Sequence, residues 1–375
     1  MASFADFSLL PTLLESLAEQ SITVPTEIQR RCLPILLDGN PLVAVAETGS
    51  GKTLTYVLPM LHLLKELENG GSAVAESGRP RGLVVVPGRE LGEQVCKVFK
   101  GLTHRTRLRV RSVLGGTKKQ IMRQNVAGNL EVLVATPGRL GQLLDTGELR
   151  LDDVRMLVFD EADQLIDPGF FPVAQRIVDC CPRSAQLVMV SATLPQATQP
   201  VVESLFGATP MRVRTRGAQT TVATLTTDNQ TVTKGRRFDV LARVLGKGKD
   251  KDLGTLIFAN TRRQCYSIAE WLDEQGIEYA NYFGEMDRGE RRANLGRFRD
   301  GDVSLLITTD LGGRGLDIER VERVINVHLP TDVDNYLHRV GRTARAGRSG
   351  LVVNLVTQRD HTLLAKLRAR APKKD

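Results

Sequence analysis

The chain has 375 residues, 41% of them hydrophobic and 25% charged, with a formal net charge of +8. These proportions belong to a folded globular protein with room for two domains, and they exclude a disordered, collagen-like or disulfide-stapled miniature chain. The positive balance favours a polyanionic partner, a weak preference because mild basicity is common.

Short apolar runs alternate with helical stretches along the whole chain. In the first half they fall at 42–45, 83–86, 110–114, 131–135, 156–159 and 187–190, and in the second at 255–258, 277–282, 303–307, 323–327 and 351–356. Such alternation predicts an α/β protein whose parallel sheets are covered by helices on both faces. The stretch 209–221 is polar and basic with little periodicity and reads as a linker, which places a first domain at 1–208 and a second at 222–375. Residues 69–82, with four Gly and a Pro, read as a surface loop of the first domain. A helix is expected at 264–275, with Cys265, Ile268, Ala269 and Leu272 on one face, Trp271 packed or half-exposed, and Gly276 as its stop. The Lys- and Arg-rich stretch 366–375 reads as a solvated tail.

The strongest local signal follows the first apolar run. Ala46, Glu47, Thr48, Gly49, Ser50, Gly51, Lys52 and Thr53 match the phosphate-cradling pattern G-x-x-x-x-G-K-[ST], with Ala46 in the slot of the first Gly. A strand, a Gly-bearing turn and a helix start would aim backbone N–H groups and a positive helix end at one spot, which suits polyphosphate such as ATP. Lys52 would reach the β- and γ-phosphates, and the Thr53 hydroxyl would bind Mg²⁺. Further along, the run Met156–Phe159 leads into Asp160, Glu161, Ala162 and Asp163. Acids at the carboxyl end of a buried strand lie beside the phosphate loop in this architecture. Asp160 would hold the Mg²⁺ shell, and Glu161 would orient and deprotonate the attacking water.

Asp-Glu-Ala-Asp together with the phosphate loop resembles the DEAD-box RNA helicases, and the resemblance covers nearly the whole chain. It implies two tandem RecA-like domains and an RNA-stimulated ATPase that unwinds short duplexes or remodels RNA–protein complexes. By the resemblance, Gln29 in Pro25-Thr26-Glu27-Ile28-Gln29 reads the adenine edge and Phe4 packs by the base. Pro87 to Leu91 with Arg89, the pair Gly115 and Gly116, and Thr136 to Arg139 are the first-domain RNA contacts. Ser191-Ala192-Thr193 couples hydrolysis to strand separation through hydroxyls that reach the Asp160–Asp163 acids. In the second domain the RNA side is carried by Thr261 and Arg262, by Arg291, and by Thr309, while Asp310 touches nucleotide and Arg314 to Asp317 continue that element. In His338-Arg339-Val340-Gly341-Arg342-Thr343-Ala344-Arg345, Arg342 and Arg345 are the arginine fingers and His338 bridges back to the acids. Two guanidiniums three residues apart suit charge neutralisation on a transferring phosphoryl, and the resemblance implies that the site is complete only when the domains close.

The chain departs from the family at several positions: Ser21-Ile22 for a Gly-aromatic pair, Glu47 for Gln, Gly88 for Thr, Phe283 for His, Arg288 for Gln, Gly312-Gly313 for Ala/Ser, and Ala344 for Gly. None replaces Lys52, Thr53, Asp160, Glu161, Arg342 or Arg345. An aromatic content of 5% argues against base-stacking platforms and for a sequence-tolerant grip on sugars and phosphates. Cys32, Cys96, Cys180, Cys181 and Cys265 contain no C-x-x-C pair, so a reducing, cytoplasmic setting is expected without a zinc site. The N-terminus has no basic segment followed by an apolar core, and no apolar run reaches membrane-spanning length. A monomer is expected. Two other readings stand beside the helicase: a nucleotide-gated RNA clamp or scaffold with incidental unwinding, and a DNA-directed translocase.

Overall fold

The computed structural model describes residues 3–47, 49–74, 76–167, 169–194, 198–207, 209–215, 225–233, 235–246, 253–284, 286–310, 318, 320–344 and 349–370. The chain divides into two compact units, Met1–Ala218 and Gln219–Asp375.

Unit 1 holds seven strands: β1 Leu42–Val45, β2 Gly82–Val85, β3 Val110–Val113, β4 Val132–Ala135, β5 Met156–Asp160, β6 Gln186–Ser191 and β7 Met211–Arg214. They form one sheet in the order β3-β4-β2-β5-β6-β1-β7, and every pairing is parallel. The central strands are apolar at consecutive positions because both faces are covered. In β1, Leu42 and Ala44 enter one apolar cluster while Val43 and Val45 enter another, and β5 divides Met156 and Val158 from Leu157 and Phe159 in the same way. One face carries Leu33, Tyr56, Val57 and Phe99 from helices Glu27–Leu37, Lys52–Asn69 and Arg89–Thr106. The other carries Leu140, Ile177 and Leu205 from helices Pro137–Asp145, Phe171–Cys180 and Gln199–Phe206.

Unit 2 holds β8 Leu225–Thr231, β9 Thr255–Ala259, β10 Ala280–Tyr282, β11 Leu305–Thr309, β12 Arg323–Asn326 and β13 Gly350–Val356, in the order β10-β11-β9-β12-β13-β8. All pairings are again parallel. Ile257 and Ala259 pack with Cys265, Ile268 and Leu272 of helix Arg262–Glu274, while Leu256 and Phe258 face Phe298 and Tyr336. Trp271 stacks on Phe238 with ring centroids 5.5 Å apart.

Three stretches differ from the sequence expectation. Residues 211–214, inside the expected linker, are β7 at the edge of the first sheet, paired to β1. An edge strand buries little, and of these four residues only Val213 is buried, so the run shows no core periodicity. Strand β8 shows no apolar run for the same reason, being polar from Thr226 to Thr231 and paired on one side, to β13. The expected basic tail begins inside helix His361–Arg370, held by Leu363 against Leu329, Val333 and Val356.

Candidate functional site

In an all-parallel sheet every strand ends at the same edge, so the loops that follow the strands of unit 1 gather there. The order of strands sorts them into two groups. The ends of β5, β6 and β1 carry the acids, the Ser191–Thr193 triplet and the phosphate loop, and the ends of β3, β4 and β2 carry Gly115-Gly116, Thr136 and Pro87–Arg89.

The phosphate loop depends on its glycines: Gly49 and Gly51 have φ of +82° and +88°, a region open to glycine and strained for other residues. Gly51 caps helix Lys52–Asn69, and a Cβ there would fall 2.5 Å from Gln29 Nε2. Gln29 is 2% exposed; its Oε1 accepts from Thr26 N at 2.9 Å and its Nε2 donates to Gly51 O at 3.0 Å, so the amide is pinned against the loop with one N–H left over. Lys52 Nζ donates to Ala46 O and Glu47 O, each at 2.7 Å, which holds the ammonium over the loop. Ser50 Oγ also donates to Glu47 O at 2.7 Å. Phe4 is 3% exposed and packs in the same apolar cluster as Leu9, Leu13 and Ile28.

Asp160 is 3% exposed at the end of β5. Burial pushes its carboxyl up to about 6, against the Tyr56 hydrogen bond and the Lys52 charge that hold it down. Its Oδ2 accepts from the Tyr56 hydroxyl at 2.7 Å and its Oδ1 from Glu161 N at 2.9 Å. Glu161 has φ of +49°, unusual for a non-glycine residue, and its Oε2 accepts from Gln164 Nε2 at 2.6 Å. Thr193 Oγ1 donates to Asp163 Oδ2 at 2.5 Å, and Ser191 Oγ donates to Thr193 O at 2.5 Å, so β6 and the acidic turn after β5 are tied by side chains. Tyr56 was not singled out in the sequence, where it reads as one more residue of an apolar helix. The signal lay in its spacing, since position 56 shares a helix face with Thr53.

On the other half of the edge, Arg89 Nη1 donates to Gly115 O at 3.0 Å and its Nη2 to Glu93 Oε1 at 2.6 Å, linking the loops after β2 and β3. Gly116 has φ of +74°. Thr136 and Pro87 flank the ends of β4 and β2, and Arg139 Nη1 donates to Gln142 Oε1 at 2.7 Å.

In unit 2, Thr261 caps helix Arg262–Glu274, leaving Thr261 and Arg262 exposed at the end of β9. Arg291 lies over the Tyr282 ring at 4.5 Å and donates to its hydroxyl at 3.3 Å. Thr309 ends β11, and both Asp310 oxygens accept from buried Arg339, at 2.5 Å from Nε and 2.7 Å from Nη2. Arg339, 1% exposed, also donates to Asn260 Oδ1, Asn326 Oδ1 and His328 O. Arg342 is 4% exposed, its Nε donating to the carbonyl of His338 at 3.1 Å. Thr48, residues 311–317 and Arg345 lie outside the described residues.

Comparison with known proteins agrees with this layout. The DEAD/DEAH box helicase family matches residues 26–201, and the helicase conserved C-terminal domain matches 236–347. The chain is 34% identical to DEAD-box ATP-dependent RNA helicase 39 of Arabidopsis thaliana, over 97% of its own length and 60% of that protein's. It is 30% identical to DEAD-box ATP-dependent RNA helicase RhpA of Helicobacter pylori, over 97% and 72% respectively. Among solved structures, S. cerevisiae Dbp5 bound to RNA and ADP BeF3 is similar with a TM-score of 0.85 at 26% identity, over 99% of this chain and 93% of that one. Mss116 bound to ssRNA and UDP-BeF shares the fold, with a TM-score of 0.86 at 20% identity over 99% and 79%. Two RecA-like parallel α/β units, a phosphate loop beside Asp160-Glu161-Ala162-Asp163, and matches across almost the full sequence establish that the chain belongs to the DEAD-box family of ATP-dependent RNA helicases.

Proposed function

We propose that the protein is an ATP-dependent RNA helicase, which grips RNA by its backbone and uses ATP hydrolysis to separate short duplexes or remodel RNA–protein complexes. The observation that carries this reading is the set Lys52, Thr53, Asp160, Glu161 and the Thr193–Asp163 hydrogen bond on adjoining strand ends, with a second set of loops on β2, β3 and β4 beside it. Lys52 binds the β- and γ-phosphates, and the remaining N–H of Gln29 reads adenine. Glu161 orients and deprotonates the attacking water, with Gln164 fixing its carboxylate. The Thr193–Asp163 bond supplies a route by which hydrolysis is felt at β6. Arg342 and Arg345 neutralise charge on the transferring phosphoryl, Thr309 contacts RNA, Asp310 touches nucleotide, and His338 couples this element to the acids. Arg89, Gly115, Gly116, Pro87, Thr136, Arg139, Thr261, Arg262 and Arg291 contact RNA sugars and phosphates, which makes binding sequence-tolerant.

Thr53 and Asp160 offer the hard oxygen donors that Mg²⁺ prefers. Among the described residues no group of three or more His, Cys, Asp or Glu could hold a metal ion. When bound, Mg²⁺ supplies positive charge to the phosphate oxygens. Among the described residues no helix is long and apolar enough to cross a membrane. The five unpaired thiols support a reducing, cytoplasmic setting.

ATPase measured at equal salt against single- and double-stranded RNA and DNA tests the reading. Stimulation by RNA, with strand separation of a short duplex, is expected. Equal stimulation by DNA replaces the proposal with a translocase, and tight ATP-dependent RNA retention without strand separation replaces it with a clamp.

A further inference from the structure

A buried hydrogen bond holds one of the two residues assigned to Mg²⁺ in the ATP reading above, and its donor has no role in that reading. Tyr56 lies one helical turn beyond Thr53, and it is completely buried. Its hydroxyl donates to Asp160 Oδ2 at 2.7 Å, a partner 104 positions away in sequence. A phenol has one proton. That proton goes to Asp160, so the carboxylate has a fixed buried donor. Asp160 Oδ1 meanwhile accepts from Glu161 N at 2.9 Å, so each carboxylate oxygen carries one donor and the plane of the group is set. Phenylalanine at 56 would fill the same core volume; the oxygen therefore does something that packing does not require.

We propose that Tyr56 is a positioning residue for the Mg²⁺ of the bound nucleotide, orienting the Asp160 carboxylate. This rests on the ATP·Mg²⁺ assignment of the same site. Partners that orient metal ligands in this way typically control metal affinity by about 10- to 100-fold.

Tyr56→Phe removes the oxygen and keeps the ring. The affinity of the intact chain for a fluorescent ADP analogue is measured in Mg²⁺ and again in EDTA, for wild type and variant, with the melting temperature of each recorded. The expected result is that the affinity gained from Mg²⁺ falls roughly 10-fold in the variant, and that half of the gain needs more Mg²⁺, while affinity in EDTA is unchanged. An equal gain from Mg²⁺ in both proteins overturns the proposal. A loss of the same size with and without Mg²⁺, in a variant that melts like wild type, also overturns it, because that is the pattern of a loop distorted by packing. A wild-type protein whose nucleotide affinity ignores Mg²⁺ sinks the ATP·Mg²⁺ assignment itself, an outcome visible without the variant.

Discussion

The lysine of the phosphate loop in unit 1 and the central arginine of unit 2 are held in different ways. In unit 1, Lys52, Thr53 and Glu161 are half-buried at strand ends, and Lys52 donates to two backbone carbonyls of its own loop. In unit 2, Arg339 is 1% exposed and spends its guanidinium on Asp310, Asn260, Asn326 and the carbonyl of His328, with its carbon centre 5.2 Å from the Phe258 ring centroid. Asn326 continues the network by donating to Asn354 Oδ1 at 2.8 Å, and Asn354 donates to Asn229 Oδ1 at 2.8 Å and to the Tyr336 hydroxyl at 3.0 Å. A buried charge held this way is scaffold, because removing one member leaves the others desolvated and unmatched. The lesson is that chemistry and stability are separable here: substitutions at the strand ends of unit 1 should move turnover, and substitutions in the network of unit 2 should move folding.

The separation can be broken or sharpened by experiment. The largest effect is expected from Lys52→Ala, which should reduce RNA-stimulated ATPase to background while the melting temperature stays put; a large fall in melting temperature would contradict the division. Arg342→Ala should lower kcat by about 10³-fold with ATP affinity nearly intact, and a loss confined to affinity would remove the finger role from Arg342. Arg339→Ala should destabilise unit 2 by about 3 kcal/mol, since Asp310 and the asparagines lose their common partner. Denaturant titration of the whole chain would read this as an early transition, and a variant as stable as wild type would mean that the network is not structural.

A smaller and pH-dependent effect belongs to His328. Burial, with Arg237 and Arg339 nearby, pulls its imidazole from 6.5 down to about 4. Between those values the unfolded chain binds a proton that the folded chain refuses, so stability is full above 6.5 and falls as pH drops toward about 4. His328→Asn should flatten that acid limb in melting curves recorded across the window. The smallest effects come from backbone strain. Ser21 and Ala344 have φ of +58° and +55°, and both stand where the family resemblance expects glycine. Ser21→Gly and Ala344→Gly should each stabilise the chain by about 1 kcal/mol, one in each unit; a destabilisation at either site would mean that side-chain contacts outweigh the strain there.

Much of the architecture was legible in order along the chain. Apolar runs without alternation announce strands covered on both faces, and Gly49 and Gly51 around Ser50 announce a turn with positive φ before Lys52. Asp160 and Glu161 directly after an apolar run announce acids at a strand end. Edge strands β7 and β8 were not legible, because a strand paired on one side buries too little to imprint a pattern. The packing of Phe4 was not legible either, since an aromatic residue in a sequence says nothing about which neighbours its ring meets, and here they are core residues.

Local order in the sequence thus determined the strands, the phosphate loop and the acidic turn, because each arises from neighbours a few residues apart whose conformations are set by sterics and burial. Tertiary structure alone decided which distant groups meet. The Tyr56 hydroxyl finds Asp160 across 104 positions, and Arg339 collects acceptors from the ends of β9, β11 and β12. Those meetings depend on the order in which parallel strands lie side by side, a property of the whole sheet that no local stretch of residues encodes.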